Sequence, residues 1–239
     1  MRTNKKVIVF ILMFFIFDFF LLFGQTIKQS NSKKTGVRII YLIRHGRYNH
    51  KDKRSPFIGK KLIPLGIAQA RLVATRLRSL GVTFSTLYSS TMTRAKETAM
   101  EINKDFPYLK LKQFRMISEC LPTTRRLDVM KEATKEEVKE CENNLDKAFD
   151  KFFIPSPDER TRYDIIVCHG NVIRYFVTKV LQVDTKAWLG MSIGNCSLTA
   201  VRIKPDGSMK LLFFGDVGHI PVNLQTGLYN KTGKLKIEY

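Results

Sequence analysis

Two histidines of this 239-residue chain follow apolar runs in the same local context. His45 follows VRIIYLIR and His169 follows YDIIVC, and a glycine comes directly after each of them. Ligands of open α/β sheets bind beyond the carboxyl ends of strands, which is where both histidines would lie. Arg44 adjoins the first histidine, and the second precedes Asn171, where backbone N–H groups of a predicted helix can face an anion. We therefore expect both histidines in one anion-binding cavity.

These side-chain types suit the transfer of a phosphoryl group. A neutral imidazole nitrogen can attack phosphorus and form a phosphohistidine, which divides one difficult displacement into two easier ones. Guanidinium groups nearby keep the imidazole unprotonated and bind the phosphoryl oxygens in a bidentate manner. A carboxylic acid would donate the proton that the leaving oxygen needs and would later accept one from water. None of these steps calls for a metal ion or a cofactor, and we expect neither.

Four motifs in one order carry a resemblance to a known family. They are LIRHG at 42–46, SSTMTRAKETA at 89–99, SECLP at 118–122 and VCHGNVIRY at 167–175. Together they resemble the histidine phosphatase superfamily, which has the fold of the phosphoglycerate mutases. The likeness extends over nearly all of residues 37–222.

The resemblance, added to the two strand ends, predicts a site of six residues. The catalytic residues are His45, Glu119 and His169, and the phosphate-binding residues are Arg44, Arg94 and Asn171. By the resemblance, His45 is the phosphorylated nucleophile, Glu119 is the proton donor and His169 completes the pocket. The sequence departs from the family at Cys120, where a glycine usually follows the acid, and this change could alter the placement of Glu119.

More narrowly, the chain resembles members of this family that are mitochondrial serine/threonine protein phosphatases with an N-terminal membrane segment. The resemblance implies phosphorylated proteins as substrates and a mitochondrial membrane as the location, with the outer membrane favoured over the inner one. The aromatic and acidic multimerisation motif of those relatives is missing, because the only tryptophan is Trp188, inside the domain. We therefore expect a homodimer at most and no larger assembly.

Three alternatives stay open. A phosphoglycerate mutase would share the chemistry, although the compact domain and the predicted anchor suit it poorly. A membrane-tethered scaffold would bind phosphoproteins with little or no hydrolysis. A cysteine phosphatase is suggested by Cys168 and Arg174, which satisfy the spacing C-x5-R, but the β-branched residues between them suit a strand-to-helix junction better than a phosphate-wrapping loop.

The predicted elements place the motifs on an α/β fold. Short apolar runs predict strands at 37–43, 86–90, 109–114 and 163–168, and helical periodicity predicts helices at 65–81, 131–153 and 171–182. Residues 197–215 predict a hairpin that turns at Asp206 and Gly207. We expect a phosphoglycerate mutase-like three-layer sandwich, with a mostly parallel sheet and helices on both faces.

The N-terminal end predicts a membrane anchor. Residues 7–24 form an apolar run whose helix would be about 27 Å long, close to the thickness of the hydrocarbon core. Asp18 inside the run costs on the order of 2.5 to 3.5 kcal/mol on insertion scales. We therefore predict a basic N-terminus at 1–6, a transmembrane helix at 7–24, a linker at 25–37 and a histidine phosphatase domain at 38–239.

The net charge and the spacing of the cysteines limit which partners and metal sites we expect. The net charge of +20 favours anionic partners, but no nucleic-acid motif accompanies the lysines and arginines. We expect phosphoproteins and a membrane as partners, and no nucleic acid. The four cysteines have irregular spacing and no CxxC pair, so we expect reduced thiols and no zinc site.

Overall fold

The structure is a computed structural model, and it describes residues 34–228. Six strands form one mixed sheet in the order β3-β2-β4-β1-β5-β6. The strands are β1 (Arg38–Arg44), β2 (Thr86–Ser90), β3 (Leu111–Phe114), β4 (Arg162–Cys168), β5 (Leu198–Ile203) and β6 (Met209–Asp216). The first four strands run parallel, as predicted, whereas β5 pairs antiparallel with both β1 and β6. The sheet is therefore mixed, because β5 of the predicted hairpin runs opposite to the other five strands.

Helices cover both faces of this sheet. The α-helices are α1 (Pro64–Arg78), α2 (Thr93–Asn103), α3 (Leu127–Met130), α4 (Lys135–Phe152) and α5 (Gly170–Leu181). Side chains of β1 alternate between the two faces and are apolar on both, since Ile40 and Leu42 pack with α4 and α5 while Tyr41 and Ile43 pack with α1 and α2. A strand that is buried on both faces has a nearly continuous apolar sequence. This arrangement confirms the predicted three layers.

One helix begins later than the sequence pattern predicted. The apolar spacing placed a helix at 131–153, but α4 starts at Lys135, and the short helix α3 precedes it. Thr134 and Glu137 form a capping box, in which each side chain accepts a hydrogen bond from the backbone N–H of the other. The box satisfies two N–H groups of the first turn and so fixes the start of the helix.

The sheet topology brings the two His-Gly pairs together. Strands β1 and β4 are parallel neighbours with Arg44 opposite Cys168, so the residues after both strands lie side by side. The backbone N–H of His45 donates to the carbonyl of Cys168 at 3.0 Å. Strand β2 flanks β4 on its other side, and the chain after β2 enters α2, which carries Arg94. Three adjacent strand ends thus form one edge.

The predicted basic N-terminus (1–6) and transmembrane helix (7–24) lie outside the described residues. From residue 34 to residue 228, no helix has both the length and the apolar character needed to cross a membrane. The end of the predicted linker already contacts the domain, because Gly36 forms a β-bridge with Ser156.

Candidate active site

The imidazole rings of His45 and His169 face each other at the carboxyl edge of the sheet. Their centroids are 5.1 Å apart, and only 1% and 0% of the two residues is exposed. The sequence separates them by more than a hundred positions, and the parallel pairing of β1 with β4 brings them into contact. The two histidines predicted from their matching contexts therefore lie in contact at one edge of the sheet.

Hydrogen bonds define the protonation state of His45. Its Nδ1 lies 2.9 Å from the carbonyl oxygen of Gly46, which can only accept, so Nδ1 carries the proton. Its Nε2 accepts a hydrogen bond from Nε of Arg94 at 3.0 Å and therefore holds a lone pair. Burial lowers the pKa of His45 well below its usual 6.5, and the charges of Arg94 and Arg44 lower it further. His45 is a neutral imidazole with a basic nitrogen directed at a cation.

His169 is neutral for the same reasons. Burial is the main cause that lowers its pKa well below 6.5, followed by His45 and the two arginines. Its Nε2 lies 2.8 Å from the hydroxyl of Ser90, which orients the ring. Its Nδ1 is buried without a hydrogen-bond partner in the described part of the chain, and it lies 3.8 Å from a carboxylate oxygen of Glu119.

Two guanidinium groups supply the positive charge of the cavity. Arg94 is 6% exposed, and its guanidinium lies 4.8 Å from the ring centroid of Tyr48. Arg44 donates through Nη1 to the carbonyl of Ile193, while its Nε is buried and has no hydrogen-bond partner among residues 34–228. Arg94 contacts Nε2 of His45 directly, and Arg44 lies next to Gly170. Both predicted arginines thus border the histidine pair.

Glu119 is held at the N-terminus of α5. The backbone N–H of Asn171 donates to Oε1 of Glu119 at 3.2 Å, and the side-chain amide of Asn171 donates to the carbonyl of Cys120 at 2.9 Å. Asn171, which the sequence predicted to bind phosphate, therefore holds the acid and its neighbour in this structure. Burial raises the pKa of Glu119 above its usual value, although Arg94 and Arg44 oppose that shift. Its side chain keeps 27% exposure, so protons can exchange with solvent.

The expectation of four reduced thiols is wrong. Cys120 and Cys141 form a disulfide with a Cα–Cα distance of 5.7 Å, and only Cys168 and Cys196 are free. The irregular chain spacing gave no sign of this pair, because the fold is what packs the loop after Glu119 against α4. The disulfide attaches the residue next to the predicted acid to a helix of the core.

His45, Glu119 and His169 have the composition of a metal site, since one ligand atom from each lies within 4.8 Å of the others. The charge of the surroundings favours an anion instead. Two guanidinium groups border these three side chains, and like charges repel a divalent cation. A phosphoryl dianion would gain from the same two charges.

The structure argues against a cysteine phosphatase, because the thiol that would be its nucleophile is buried. Cys168 is the last residue of β4 and is completely buried. Burial raises the pKa of its thiol far above neutral pH, so the reactive thiolate does not form there. Arg174 donates to the carbonyls of Gly170 and Met191 and does not turn toward Cys168.

Sequence reasoning missed several residues that position the site. Ser90 orients His169, and it stands inside one of the quoted motifs, at the end of a predicted strand. Thr98 accepts from the backbone N–H of Gly46, one turn along α2 from Arg94. Asn195 donates to the carbonyl of His45 at 2.8 Å from a loop 150 positions away. Nothing in the local sequence around Asn195 could have indicated this contact.

Comparisons with known proteins give the class to which this site belongs. The family model of the histidine phosphatase superfamily (branch 1) matches residues 40–142 and 123–216, so the chain belongs to that family. This confirms the resemblance found in the four motifs. The chain is 40% identical over 208 residues to the mitochondrial serine/threonine-protein phosphatase Pgam5 of Caenorhabditis elegans, covering 81% of this chain and 68% of the relative.

Two further matches agree with this class. The mitochondrial serine/threonine-protein phosphatase PGAM5 of Homo sapiens is 35% identical over 198 residues, which cover 81% of this chain and 68% of that protein. The crystal structure of phosphoglycerate mutase from Plasmodium falciparum superposes with a TM-score of 0.55 at 30% identity. It covers 78% of this chain and 95% of that one.

The lowered pKa values of the histidines predict that acid destabilises the fold. In the unfolded chain each histidine titrates near 6.5, and below that pH the unfolded state binds protons that the native state does not bind. The free energy of unfolding should therefore fall by about 1.4 kcal/mol per histidine for each pH unit below about 6.5. Burial also lowers the pKa of His219, so this residue adds to the loss of stability in acid. The pKa of Glu119 is raised, so protonation of Glu119 has the opposite effect on the free energy of unfolding.

Urea unfolding between about pH 5 and 6.5 measures this slope. A double variant, His45→Asn with His169→Asn, should have a shallower slope than the original protein. His50→Asn serves as the matched control, because His50 is exposed, and it should leave the slope unchanged. An unaltered slope in the double variant would contradict the assignment of two neutral, buried imidazoles.

Proposed function

We propose that this protein is a serine/threonine protein phosphatase that hydrolyses phosphomonoesters through a phosphohistidine on His45. The observation that carries the proposal is the lone pair on Nε2 of a neutral, buried His45 beside two guanidinium groups. Two buried polar atoms next to it, Nε of Arg44 and Nδ1 of His169, lack partners among the described residues. Phosphoryl oxygens would satisfy both. The named activity of the relatives supports the choice of phosphoproteins as substrates.

The first step transfers the phosphoryl group. Arg94 releases Nε2 of His45 and donates to the phosphoryl oxygens, and the freed nitrogen attacks phosphorus. The N–P bond forms as the bond from phosphorus to the seryl or threonyl oxygen breaks. Glu119, protonated because burial raises its pKa, gives its proton to that leaving oxygen.

The second step returns the enzyme to its starting state. Glu119, now a carboxylate, accepts a proton from water, and the resulting hydroxide equivalent attacks phosphorus. The N–P bond breaks, inorganic phosphate leaves, and His45 regains its lone pair. In this scheme Asn171 orients the acid through its backbone N–H, and His169 and Arg44 bind the transferred group.

Trapping the covalent intermediate tests the role of His45. Acid-labile, base-stable radiolabel from a phosphoserine peptide should appear on His45, and His45→Asn should reduce phosphatase activity by several orders of magnitude. Cys168→Ala should keep its activity, because that thiol is buried and protonated.

Two results would overturn the proposed phosphatase function. Efficient isomerisation of 3-phosphoglycerate in the presence of its 2,3-bisphosphate primer would identify a mutase instead. Tight binding of phosphopeptides with no turnover of any of them would identify a scaffold.

The proton-donor role of Glu119 predicts a dependence on the leaving group. p-Nitrophenolate leaves without protonation, so Glu119→Gln should still release a stoichiometric burst from p-nitrophenyl phosphate, followed by a slow steady state. With a phosphoserine peptide the same variant should lose about 10²- to 10⁴-fold in the first step. In the unmodified protein the transfer of the phosphoryl group from the phosphoserine peptide should slow as the pH rises through the raised pKa of Glu119. The Glu119→Gln variant should not show this decrease in rate. Equal losses with both substrates would contradict the assignment.

We also propose that the chain is anchored in a mitochondrial membrane, with the outer membrane favoured over the inner one. The apolar run at 7–24 and the mitochondrial names of the relatives support this location. The soluble domain would then begin at residue 38 behind a linker at 25–37, with a homodimer as the largest assembly.

Alkaline carbonate extraction of mitochondria tests the anchor. The full chain should stay in the membrane pellet, and a chain without residues 1–24 should move to the supernatant. Protease added to intact mitochondria then separates the two membranes, because only a domain on the outer surface is digested. Release of the full chain by carbonate would refute the anchor.

A further inference from the structure

A large cavity extends from the candidate active site to the protein surface. It encloses about 840 Å³ and begins at Arg44, Glu119 and Asn171. Residues 124–126, 186–187 and 189–193 also line it. A phosphoryl group fills only a small part of such a volume, which falls in the range that binds drug-sized ligands. The remaining space can hold substrate groups beyond the phosphorylated side chain.

Most of the charged side chains that line this cavity are cationic. Its lining includes five cationic side chains and a single carboxylate, that of Glu119. The cations are Arg44, Arg125, Arg126, Arg174 and Lys186. Walls of one sign concentrate counter-ions in a cleft, so the cavity favours anionic ligands over its whole length.

Arg174 holds a fixed positive charge in the wall of this cavity. It donates to the carbonyl of Met191 at 3.0 Å and to the side chain of Asn171 at 2.6 Å. Its guanidinium also lies 4.7 Å from the ring centroid of Trp188. Burial lowers the pKa of Arg174 to about 10, which still leaves it charged at neutral pH. The group is preorganised by the protein and needs no ligand to hold it in place.

Two cations at the outer end of the cavity, Arg125 and Arg126, take part in exposed ion pairs. Arg125 contacts Asp184 at 2.8 Å and Arg126 contacts Asp128 at 2.7 Å, and all four side chains are at least 45% exposed. Pairs of this kind are worth about 1 kcal/mol or less, so an incoming anion can share or replace them. Lys186 is exposed beside them.

Glu119 also lines a second cavity, whose charged side chains are mostly acidic. It encloses about 350 Å³, and three glutamates of the segment 132–140 line it with only Arg115 as a cation. This cavity repels acidic groups. The difference in charge between the two cavities would orient a substrate, because its anionic part is attracted to the cationic cavity and repelled by the acidic one.

We propose that the cationic cavity is a specificity subsite that binds an acidic side chain close to the phosphorylated residue of the substrate. The ligand is a carboxylate or a second phosphate, since both offer the same oxygen anions to guanidinium groups. The inference rests on the proposed phosphatase function and adds to it the kind of phosphoprotein that is preferred.

The test compares kcat/KM for peptides that differ only beside the phosphoserine. One peptide has aspartates there, a second has asparagines, and a third has a second phosphoserine. The full chain should prefer both anionic peptides over the asparagine peptide. The double variant Arg126→Glu with Lys186→Glu should reduce that preference about tenfold, because two attractive contacts become repulsive. The larger of the two preferences identifies the carboxylate or the phosphate as the better ligand.

A matched control separates this subsite from the general effect of a basic protein. Lys112→Glu with Lys147→Glu makes the same change in net charge at exposed positions that do not line the cavity. This control should keep the original preference. Equal losses in both double variants, or no preference in the unmodified chain, would overturn the subsite and leave the phosphatase proposal standing. Absence of turnover with every phosphopeptide would overturn both.

Discussion

The site depends on two guanidinium groups, one buried and one half-buried, that have too little negative charge near them to balance their own. Arg44 and Arg94 border two imidazoles, and among residues 34–228 the carboxylate that acts on both of them is that of Glu119. Removing cations from water is costly unless an anion compensates for it. Burial is the main cause that keeps His45 and His169 neutral, and the excess positive charge adds to it. The same charge works against a metal ion, and buried polar atoms beside it lack hydrogen-bond partners among residues 34–228. A tetrahedral dianion would balance this charge and provide acceptors for these donors, as the proposed binding of a phosphoryl group requires.

The fold holds this unfavourable arrangement in place from several directions. Parallel pairing of β1 with β4 fixes the backbone of both histidines, and apolar side chains cover these strands on both faces. Asn195 and Thr98 bind the backbone at 45–46 from distant elements. The loop that carries Glu119 has no regular structure of its own. The N-terminus of α5 and the disulfide from Cys120 to α4 hold it instead. Rigid elements thus carry the charged groups, as preorganised electrostatics requires.

The sequence predicted the strands well because β1 and β4 are apolar on both faces and end abruptly in polar residues. The matching contexts of His45 and His169 were enough to place them together, since parallel strands share a carboxyl edge. Glu119 and Arg94 needed the family resemblance, because a loop acid and a helical arginine carry no local signal of their own. Asn171 was predicted to bind phosphate, and in the structure it lies beside the histidines but contacts Glu119 and Cys120 instead. Only the fold shows that the carboxylate of Glu119 occupies the helix N-terminus. The disulfide and Asn195 depend on contacts between distant segments, and local spacing contains no information about them.

The hydrogen bond from Arg94 to Nε2 of His45 has a consequence for selectivity. In the proposed mechanism every productive encounter has to break this bond, and the incoming group has to compensate Arg94 with its own oxygens. A phosphate monoester brings close to two negative charges at neutral pH. A phosphodiester brings one negative charge and has fewer free oxygens, so it would compensate the guanidinium less well. The contact that occupies the imidazole in the resting molecule therefore also disfavours nucleic acid and phospholipid backbones, which are diesters, at the reacting nitrogen.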